Sequence, residues 1–483
     1  MAFLGIDLGT SGLRALLVDA TGAPIGSVEH RYATAQPKPG WSEQDPDDWI
    51  VALKDAVGNL RKIYPEFSKV KGIGVSGHMH GAVLLDADAT PIRPCIMWND
   101  TRSHNEAARL DAMPAVRAIS GNISFPGFTA PKLEWMRNHE PTNYSRIAKV
   151  LLPAGYLNSY LTGEYVSDVS DSAGTGWLDV GQRDWSETLL AAGQMVPNQM
   201  PRLVEGCEVA GHLRNELASE WGLTGPVVVA GGAADNAAAA CGIGAVSEGQ
   251  GFVSLGTSGV LLLARDRCNP MPETAVHTFC HAVPDRWYQM GVMLSATDAL
   301  NWLSRICGQT PAALSNALGD ELRPPGTVRF LPYLSGERTP HNDPHIRGAF
   351  TGLGTDTTLA ELTRAVLEGV AFGLRDCAET MKTAGSGLEE LHIVGGGAAS
   401  RYWTQLIATL LDLRLSMPEG GDYGAALGAA RLAIVAANDA CPKDVMHPPI
   451  QKEIIVPRFD LTTVFDDAYE GFRQAYPAIK SIQ

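Results

Sequence analysis

Residues 7–14 read Asp-Leu-Gly-Thr-Ser-Gly-Leu-Arg, and residues 254–261, half a chain later, read Ser-Leu-Gly-Thr-Ser-Gly-Val-Leu. Apolar runs of β-strand character flank both copies, so each predicts a β-hairpin with Gly-Thr-Ser-Gly at its tip. Such a tip presents backbone N–H groups and hydroxyls without bulky side chains, which suits a polyanion such as a triphosphate. A single copy would be explained as a tight turn, but two copies with similar flanks favour a nucleotide gripped from both halves of the chain.

The two copies differ at one charged position. The first copy carries Asp7, whereas Ser254 occupies the matching place in the second. Because carboxylates bind hard cations, we expect Asp7 to serve a metal ion while the second copy only clamps phosphate. The residues predicted to contact phosphate are Gly9, Thr10, Ser11, Gly256 and Thr257.

The composition is typical of a soluble enzyme with two domains. The chain has 483 residues, too many for one core. No apolar run approaches the span of a bilayer and no basic secretory leader opens the sequence, so a cytoplasmic location without membrane contact is expected. The formal net charge of −15 disfavours nucleic acid as a partner, because it repels phosphate backbones.

The repeat divides the chain into two predicted domains, residues 1–245 and 246–442, followed by an extension over 443–483. The repeat alone places the first boundary. In the first domain, Asp45 before Pro46 predicts the start of a helix that runs to about Ile63. Predicted elements of the second domain are helices over 359–381, from Arg401 and from Tyr423 to about residue 436, and a strand over 391–394.

Asp235 and Asn236 follow a buried type of strand, residues 227–230, and a loop of small residues. A carboxylate at a strand end, beside glycines that admit a substrate, suits the general base for an incoming hydroxyl. The plainer explanation is that Asp235 only caps the alanine-rich helix that it opens. In a loose phosphoryl transfer the hydroxyl proton can leave late, so an ordinary carboxylate would suffice.

Residues 393–400 read as a strand that leads into three glycines and the start of a helix. This geometry lets a base or a phosphate approach the backbone closely, so Gly396, Gly397 and Ser400 are predicted nucleotide contacts. A Walker-type P-loop is excluded, since the sequence contains no Gly-Lys dipeptide.

Met79 and His80 lie in a short loop, residues 76–81, at the end of another predicted strand. A thioether can pack against the carbon face of a small polyol while an imidazole and the Asn236 amide bond its hydroxyls. These residue types favour a neutral, linear sugar as the ligand.

One known family shares short motifs with this chain at 6–11, 41–46, 77–81, 98–100, 127–133 and 334–341. Two longer patterns of the family are also present, at 127–139, centred on Lys132 and Trp135, and at 348–368. Over nearly its whole length the chain resembles the FGGY family of carbohydrate kinases. The resemblance implies an α/β actin-like ATPase fold, with two duplicated ribonuclease-H-like domains around a cleft that holds ATP on one side and sugar on the other. The chain departs from the family at Ala234, where glycine usually precedes the catalytic Asp-Asn pair.

The resemblance also implies roles for individual residues. Asp235 would be the catalytic base and Asp7 would serve the Mg²⁺–phosphate end. The other implied contacts are Met79, His80 and Asn236 to the sugar, Gly256 and Thr257 to phosphate, and Gly396 and Gly397 near the adenosine. The expected reaction is phosphorylation of a small sugar by ATP, with O5 of D-xylulose as the preferred acceptor.

Two other functions stay open at this point. A kinase of the same family could act on ribulose, gluconate or glycerol. The carboxylate of gluconate would need a cation in the sugar site, and no Lys or Arg lies in 76–81 or 231–238. Arg102 or Arg338 could reach the sugar site from elsewhere in the chain. A nucleotide switch of the actin type would not need Met79 and His80. The sequence also leaves a homodimer open.

Overall fold

A computed structural model describes residues 1–383, 388, 390–419 and 424–483. The first half contains strands β1 (Ala2–Leu8), β2 (Gly12–Asp19), β3 (Pro24–Arg31), β4 (Glu43–Gln44), β5 (Val70–Gly77), β6 (Val83–Leu85), β7 (Cys95–Ile96), β8 (Lys149–Leu151), β9 (Val166–Asp168), β10 (Leu178–Asp179), β11 (Asp184–Trp185), β12 (Arg202–Val204), β13 (Val209–His212), β14 (Val228–Ala230) and β15 (Ala233–Ala234). Its helices are α1 (Pro46–Ile63), α2 (His104–Asp111), α3 (Pro114–Ser120), α4 (Thr129–His139), α5 (Pro141–Tyr144), α6 (Pro153–Thr162), α7 (Val169–Ser172), α8 (Glu187–Ala192), α9 (Asn215–Trp221) and α10 (Asp235–Gly242).

The second half contains β16 (Gln250–Leu255), β17 (Gly259–Arg265), β18 (His277–Cys280), β19 (Trp287–Met293), β20 (Arg329–Leu331), β21 (Ala349–Thr351), β22 (Glu390–Val394), β23 (Leu415–Pro418) and β24 (Gln451–Ile455). Its helices are α11 (Thr297–Cys307), α12 (Pro311–Asn316), α13 (Leu359–Thr383), α14 (Arg401–Leu411), α15 (Gly424–Asn438), α16 (Pro442–Val445) and α17 (Thr462–Lys480).

The two large sheets repeat one plan, as the duplicated motif predicts. The first has the order β13-β14-β5-β1-β2-β3, with β15 also paired to β5, and the second has the order β18-β19-β17-β16-β22-β23-β24. In each, the first hairpin is antiparallel and its leading strand pairs in parallel with a later strand, β1 with β5 and β16 with β22. Both predicted hairpins are therefore confirmed.

Local sequence signals place the ends of several helices correctly. Helix α1 begins at Pro46 with the Asp45 side chain accepting a hydrogen bond from the Asp47 N–H, and it ends at Ile63 as predicted. Helix α13 covers its predicted range over 359–381 and runs on to Thr383, and α14 begins at Arg401 as predicted. The predicted start of the last helix at Tyr423 lies outside the described residues, and α15 is described from Gly424. None of the helices in the described part of the chain is long and apolar enough to cross a bilayer.

Helix α15 comes from the second half but packs on the first sheet. A Cβ atom on Gly5 of β1, or on Gly74 of β5, would lie 1.9 Å from the carbonyl oxygen of Ala426 or Ala429, respectively. Only glycine permits such close backbone contact. The extension after residue 442 joins the second sheet instead, because β24 pairs with β23 and α17 packs into the second core. The division at residues 245 and 442 itself stays a prediction.

Candidate active site

The predicted catalytic and sugar-binding residues lie at or just after the ends of neighbouring strands in the first sheet. Asp7 lies near the end of β1, Met79 and His80 follow β5, and Asp235 follows β15, which pairs in parallel with β5. Because the carboxyl ends of parallel strands meet at one edge of a sheet, these side chains share that edge. The sequence identified β1 and β5, but it assigned Ala233 and Ala234 of β15 to a loop, and it could not show that the three strands are neighbours.

Asp7 is held in place by a hydrogen bond of 2.9 Å from the Ser76 hydroxyl. Burial raises the pKa of Asp7, although that hydrogen bond and the charge of Arg14 act to lower it. The charge of Asp7 in turn reaches Asp235, whose pKa is raised to about 7 by burial first and by Asp7 second. The sequence required no such shift, so the raised pKa of Asp235 is a result of the fold.

Asp235 does not cap its helix. The N-cap of α10 is Ala234, which makes no side-chain capping bond, and Asp235 is the first helical residue. The Asp235 Oδ1 atom accepts hydrogen bonds from the Asn236 N–H at 2.7 Å and from the Asn236 Nδ2 at 2.8 Å. The capping explanation is therefore wrong, and one carboxylate oxygen is fixed by Asn236. Ala234 has φ of −54°, which suits any residue, so its methyl group introduces no backbone strain.

His80 is a neutral imidazole of defined tautomer. Its Nδ1 atom lies 2.6 Å from the carbonyl oxygen of Gly174. A carbonyl can only accept, so Nδ1 carries the proton and Nε2 is left as an acceptor. Burial, followed by the charges of Lys132 and Arg338, lowers the pKa of His80 to about 3. The ring stacks on Phe128 with 4.6 Å between centroids.

The backbone of His80 is held in a left-handed conformation, with φ of 69°. Its carbonyl oxygen accepts hydrogen bonds from the Lys132 ammonium at 2.7 Å and from the Thr129 hydroxyl at 3.2 Å. Lys132 is fully buried, and burial lowers its pKa to about 7. These contacts from α4 stabilise a conformation that non-glycine residues rarely adopt. The sequence singled out Lys132 only as part of a pattern and did not predict this contact.

Met79 lies beside His80 and is buried. The Tyr288 hydroxyl lies 3.7 Å from its sulfur atom. Gly174 packs against both side chains, since a Cβ there would lie 2.6 Å from His80 Nδ1 and 2.8 Å from Met79 Cε. The pair thus lies against a backbone surface that tolerates no side chain.

The two hairpin tips differ in their surroundings. In the first, the Gly9 N–H donates to the Gly12 carbonyl at 3.0 Å, and the exposed Ser11 follows Thr10, whose hydroxyl accepts from the Trp98 indole at 3.0 Å. In the second, the Gly256 carbonyl accepts from the Thr297 N–H at 2.9 Å, which places the tip against the start of α11. Thr257 is exposed at this tip.

A cavity of about 360 Å³ lies beside the second tip. It is lined by Thr297, Leu300, Asn301, Pro311, Ala312, Ser315, Asn316, Gly396, Gly397, Ala399, Ser400 and Trp403. Around Gly396 a Cβ atom would have no neighbour within 4 Å, so the backbone there faces open space. Ser400 caps α14 by accepting from Trp403 N–H, and its hydroxyl also lies 2.7 Å from that of Ser315. The sequence missed the α11 and α12 side of this cavity, because those helices are distant along the chain.

The edge of the first sheet that carries Asp7 suits a divalent cation that also binds phosphate. Asp7 offers a carboxylate beside the open tip Gly9-Thr10, and Mg²⁺ is commonly held by one or two carboxylates plus substrate phosphates and water. Among the described residues no cluster of three or more acidic, His or Cys side chains forms a closed metal cage. The arrangement thus fits Mg²⁺ that arrives with the nucleotide.

Two duplicated sheets, with a carboxylate at the edge of the first and a glycine-lined cavity beside the second, are typical of an actin-like ATPase fold of the phosphotransferase type. The N-terminal domain of the FGGY family of carbohydrate kinases matches residues 2–242, and its C-terminal domain matches residues 251–437. The chain belongs to this family, and it is a carbohydrate kinase.

Individual relatives extend over nearly the whole chain. A xylulose kinase of Escherichia coli strain K12 is 47% identical over 90% of this chain and 90% of its own. A crystal structure of a xyloylose kinase from Brucella ovis is 55% identical, covers 100% of both chains and superposes with a TM-score of 0.99. A xylulose kinase structure from Rhodospirillum rubrum is 28% identical, with a TM-score of 0.91 over 100% of this chain and 99% of its own.

Proposed function

We propose that the protein transfers the γ-phosphoryl group of ATP to O5 of D-xylulose, giving D-xylulose 5-phosphate and ADP. The observation that carries the proposal is the 47% identity to a xylulose kinase over 90% of both chains. The geometry supports the proposal, because Asp235, His80 and the tip at Gly9 lie after adjacent strands and have the side chains and backbone that a base, a sugar contact and a phosphate contact need. The family membership argues against a pure nucleotide switch.

Asp235 is the base in this proposal. The O5 oxygen attacks the γ-phosphorus, the bond from that phosphorus to the bridging oxygen of ADP breaks, and the O5 proton passes to the carboxylate. A pKa of about 7 suits this task, since a base is most effective when its pKa lies near the working pH. Asn236 holds one carboxylate oxygen, which leaves the other for the hydroxyl. Mg²⁺ at Asp7 would neutralise charge on the phosphate oxygens.

The sugar contacts follow from the tautomer of His80. Its unprotonated Nε2 accepts a hydrogen bond from a sugar hydroxyl, while Met79 packs against carbon atoms. A site built to bond hydroxyls discriminates strongly against ligands that leave its polar groups unpaired. Gly396 and Gly397 line the cavity that we assign to the nucleoside, and the tips at Gly9 and Gly256 are assigned to the triphosphate.

The two arginines that could bind the carboxylate of gluconate, Arg102 and Arg338, have different surroundings. The Arg102 guanidinium donates to Asp100 at 2.7 and 2.9 Å and also pairs with Glu43, so its charge is satisfied. Arg338 instead packs 4.5 Å from the ring centre of Phe125, with Nη1 3.4 Å from His277 Nε2. Its charge acts on His80, so gluconate must be included among the acceptors tested.

An ATP-consumption assay over D-xylulose, D-ribulose, D-gluconate and glycerol tests the proposal. D-xylulose should give the highest kcat/KM, and the Asp235→Asn variant should lose turnover roughly 10²- to 10⁴-fold. A clear preference for another acceptor would overturn the substrate while leaving the kinase chemistry intact. Dependence on ATP also supports a cytoplasmic location, and the homodimer stays a prediction for light scattering to check.

A further inference from the structure

A buried turn over residues 168–175, here called the connector turn, contacts the edge of the first sheet at two places. This edge, which carries Asp7, His80 and Asp235, is called the catalytic edge. Near its end, the Gly174 carbonyl oxygen holds His80 Nδ1 at 2.6 Å. Near its start, the Ser170 hydroxyl accepts a hydrogen bond of 3.1 Å from the Ala234 N–H. Ala234 directly precedes Asp235, so one short segment contacts the residue that binds sugar and the residue next to the base.

The Ser170 hydroxyl has a fixed orientation. It donates to Asp168 Oδ1, which also accepts from the Ser170 N–H at 2.8 Å and the Asp171 N–H at 3.1 Å. Because the hydroxyl hydrogen is committed to Asp168, an oxygen lone pair is directed at Ala234. Ser170 and Asp168 are 0% and 2% exposed, so bulk water does not compete for these bonds.

Ala234 is thereby held from two sides. Strand β15 pairs in parallel with β5, with Ala233 opposite Ser76 and Ala234 opposite Gly77. Ser76 is also the residue that donates to Asp7. The Ala234 backbone, directly before Asp235, thus pairs with β5 on one side and is hydrogen-bonded to the connector turn on the other. Strand β5 carries Ser76, the hydrogen-bond donor to Asp7.

We infer that Ser170 is a positioning residue for Asp235, and that the connector turn keeps the base and the sugar-binding imidazole at a constant separation. This inference rests on the proposed role of Asp235 as the base. Errors of about 1 Å in the placement of a reacting group can lower the rate roughly 100-fold without a change in chemistry. We therefore expect the Ser170 hydroxyl, which fixes the peptide before Asp235, to affect kcat more than it affects the binding of ATP or sugar.

Ser170→Ala is the direct test, and Ser172→Ala is its matched control. Both serines are 0% exposed and lie in α7, but the Ser172 hydroxyl donates to the Ser167 hydroxyl at 3.0 Å and does not contact the catalytic edge. Ser170→Ala removes two buried hydrogen bonds, the one from the Ala234 N–H and the one to Asp168, whereas Ser172→Ala removes one, so a somewhat larger loss in melting temperature is expected for Ser170→Ala. We expect kcat with D-xylulose to fall roughly 10- to 100-fold in Ser170→Ala only, with KM for ATP and sugar little changed.

Two more variants make the result independent of folding defects. Ser170→Thr keeps the hydroxyl and should recover kcat, whereas Ser170→Cys offers a weaker acceptor and should give an intermediate kcat, even where Ser170→Ala does not fold. A folded Ser170→Ala or Ser170→Cys protein with wild-type kcat, or equal losses of kcat in Ser170→Ala and Ser172→Ala, would overturn the inference. Asp235→Asn is assayed in parallel: undiminished turnover in that variant would overturn the proposed base and the inference with it, whereas lost turnover there together with wild-type kcat in Ser170→Ala would overturn only the role of Ser170.

Discussion

The substitution Asp235→Asn should make the protein more stable above neutral pH while it removes turnover. The raised pKa means that the folded state keeps a proton on Asp235 that the unfolded state releases. Folding stability therefore falls as the pH rises from about 4 to about 7, and the full penalty is present above that range. Asparagine never ionises, yet its side-chain oxygen can still accept both hydrogen bonds from Asn236.

The magnitude follows from the shift. The pKa rises from 3.8 to about 7, and at about 1.36 kcal/mol for each unit the penalty at pH 8 is at most about 4 kcal/mol. At pH 5 it is less than half as large, because the folded carboxyl is then protonated. Repulsion from Asp7 is already contained in this shift.

Urea unfolding of the wild type and Asp235→Asn at pH 5 and pH 8 measures this effect. Asp19→Asn is a control of opposite sign, since hydrogen bonds from Thr21 and Ala23 lower the pKa of Asp19 against the opposing effect of burial. That variant should lose stability at pH 8. If Asp235→Asn gave no gain in stability at pH 8, or the same gain at both pH values, the buried and charge-coupled state assigned to Asp235 would be refuted.

Further expectations concern the nucleotide, the sugar and the pH. Gly396→Val should raise KM for ATP roughly tenfold or more, because a side chain there enters the cavity without meeting protein atoms within 4 Å. Calorimetry measures the ATP affinity. The control is Gly471→Val on α17, where the surroundings are equally open. His80→Ala should lower kcat/KM for D-xylulose with ATP affinity little changed, and an equal loss of ATP affinity would contradict the assignment. Wild-type kcat/KM should fall about tenfold for each pH unit below about 7 as Asp235 becomes protonated, and a flat profile down to pH 5 would exclude it as the titrating base.

Short-range signals in the sequence predicted much of the fold and the catalytic edge. The hairpin tips, the cap at Asp45 and the position of Asp235 after a strand depend on neighbouring residues, so pattern and propensity sufficed. The contacts of Lys132 with His80 and of Ser170 with Ala234 join residues far apart in the chain. No periodicity encodes such pairs, and the raised pKa of Asp235 depends on the same tertiary packing.

Helix α15 gives the chain an unusual order of assembly. Its apolar face buries Phe3, Leu16 and Val18 of the first sheet in one cluster with alanines of its own. The ribosome releases that sheet long before it reaches residue 424, so one face of the first core stays bare throughout most of translation. A fragment that stopped at residue 245 would keep that apolar face in water and be prone to aggregate. The amino-terminal sheet is thus completed by a helix that is synthesised long after its own strands.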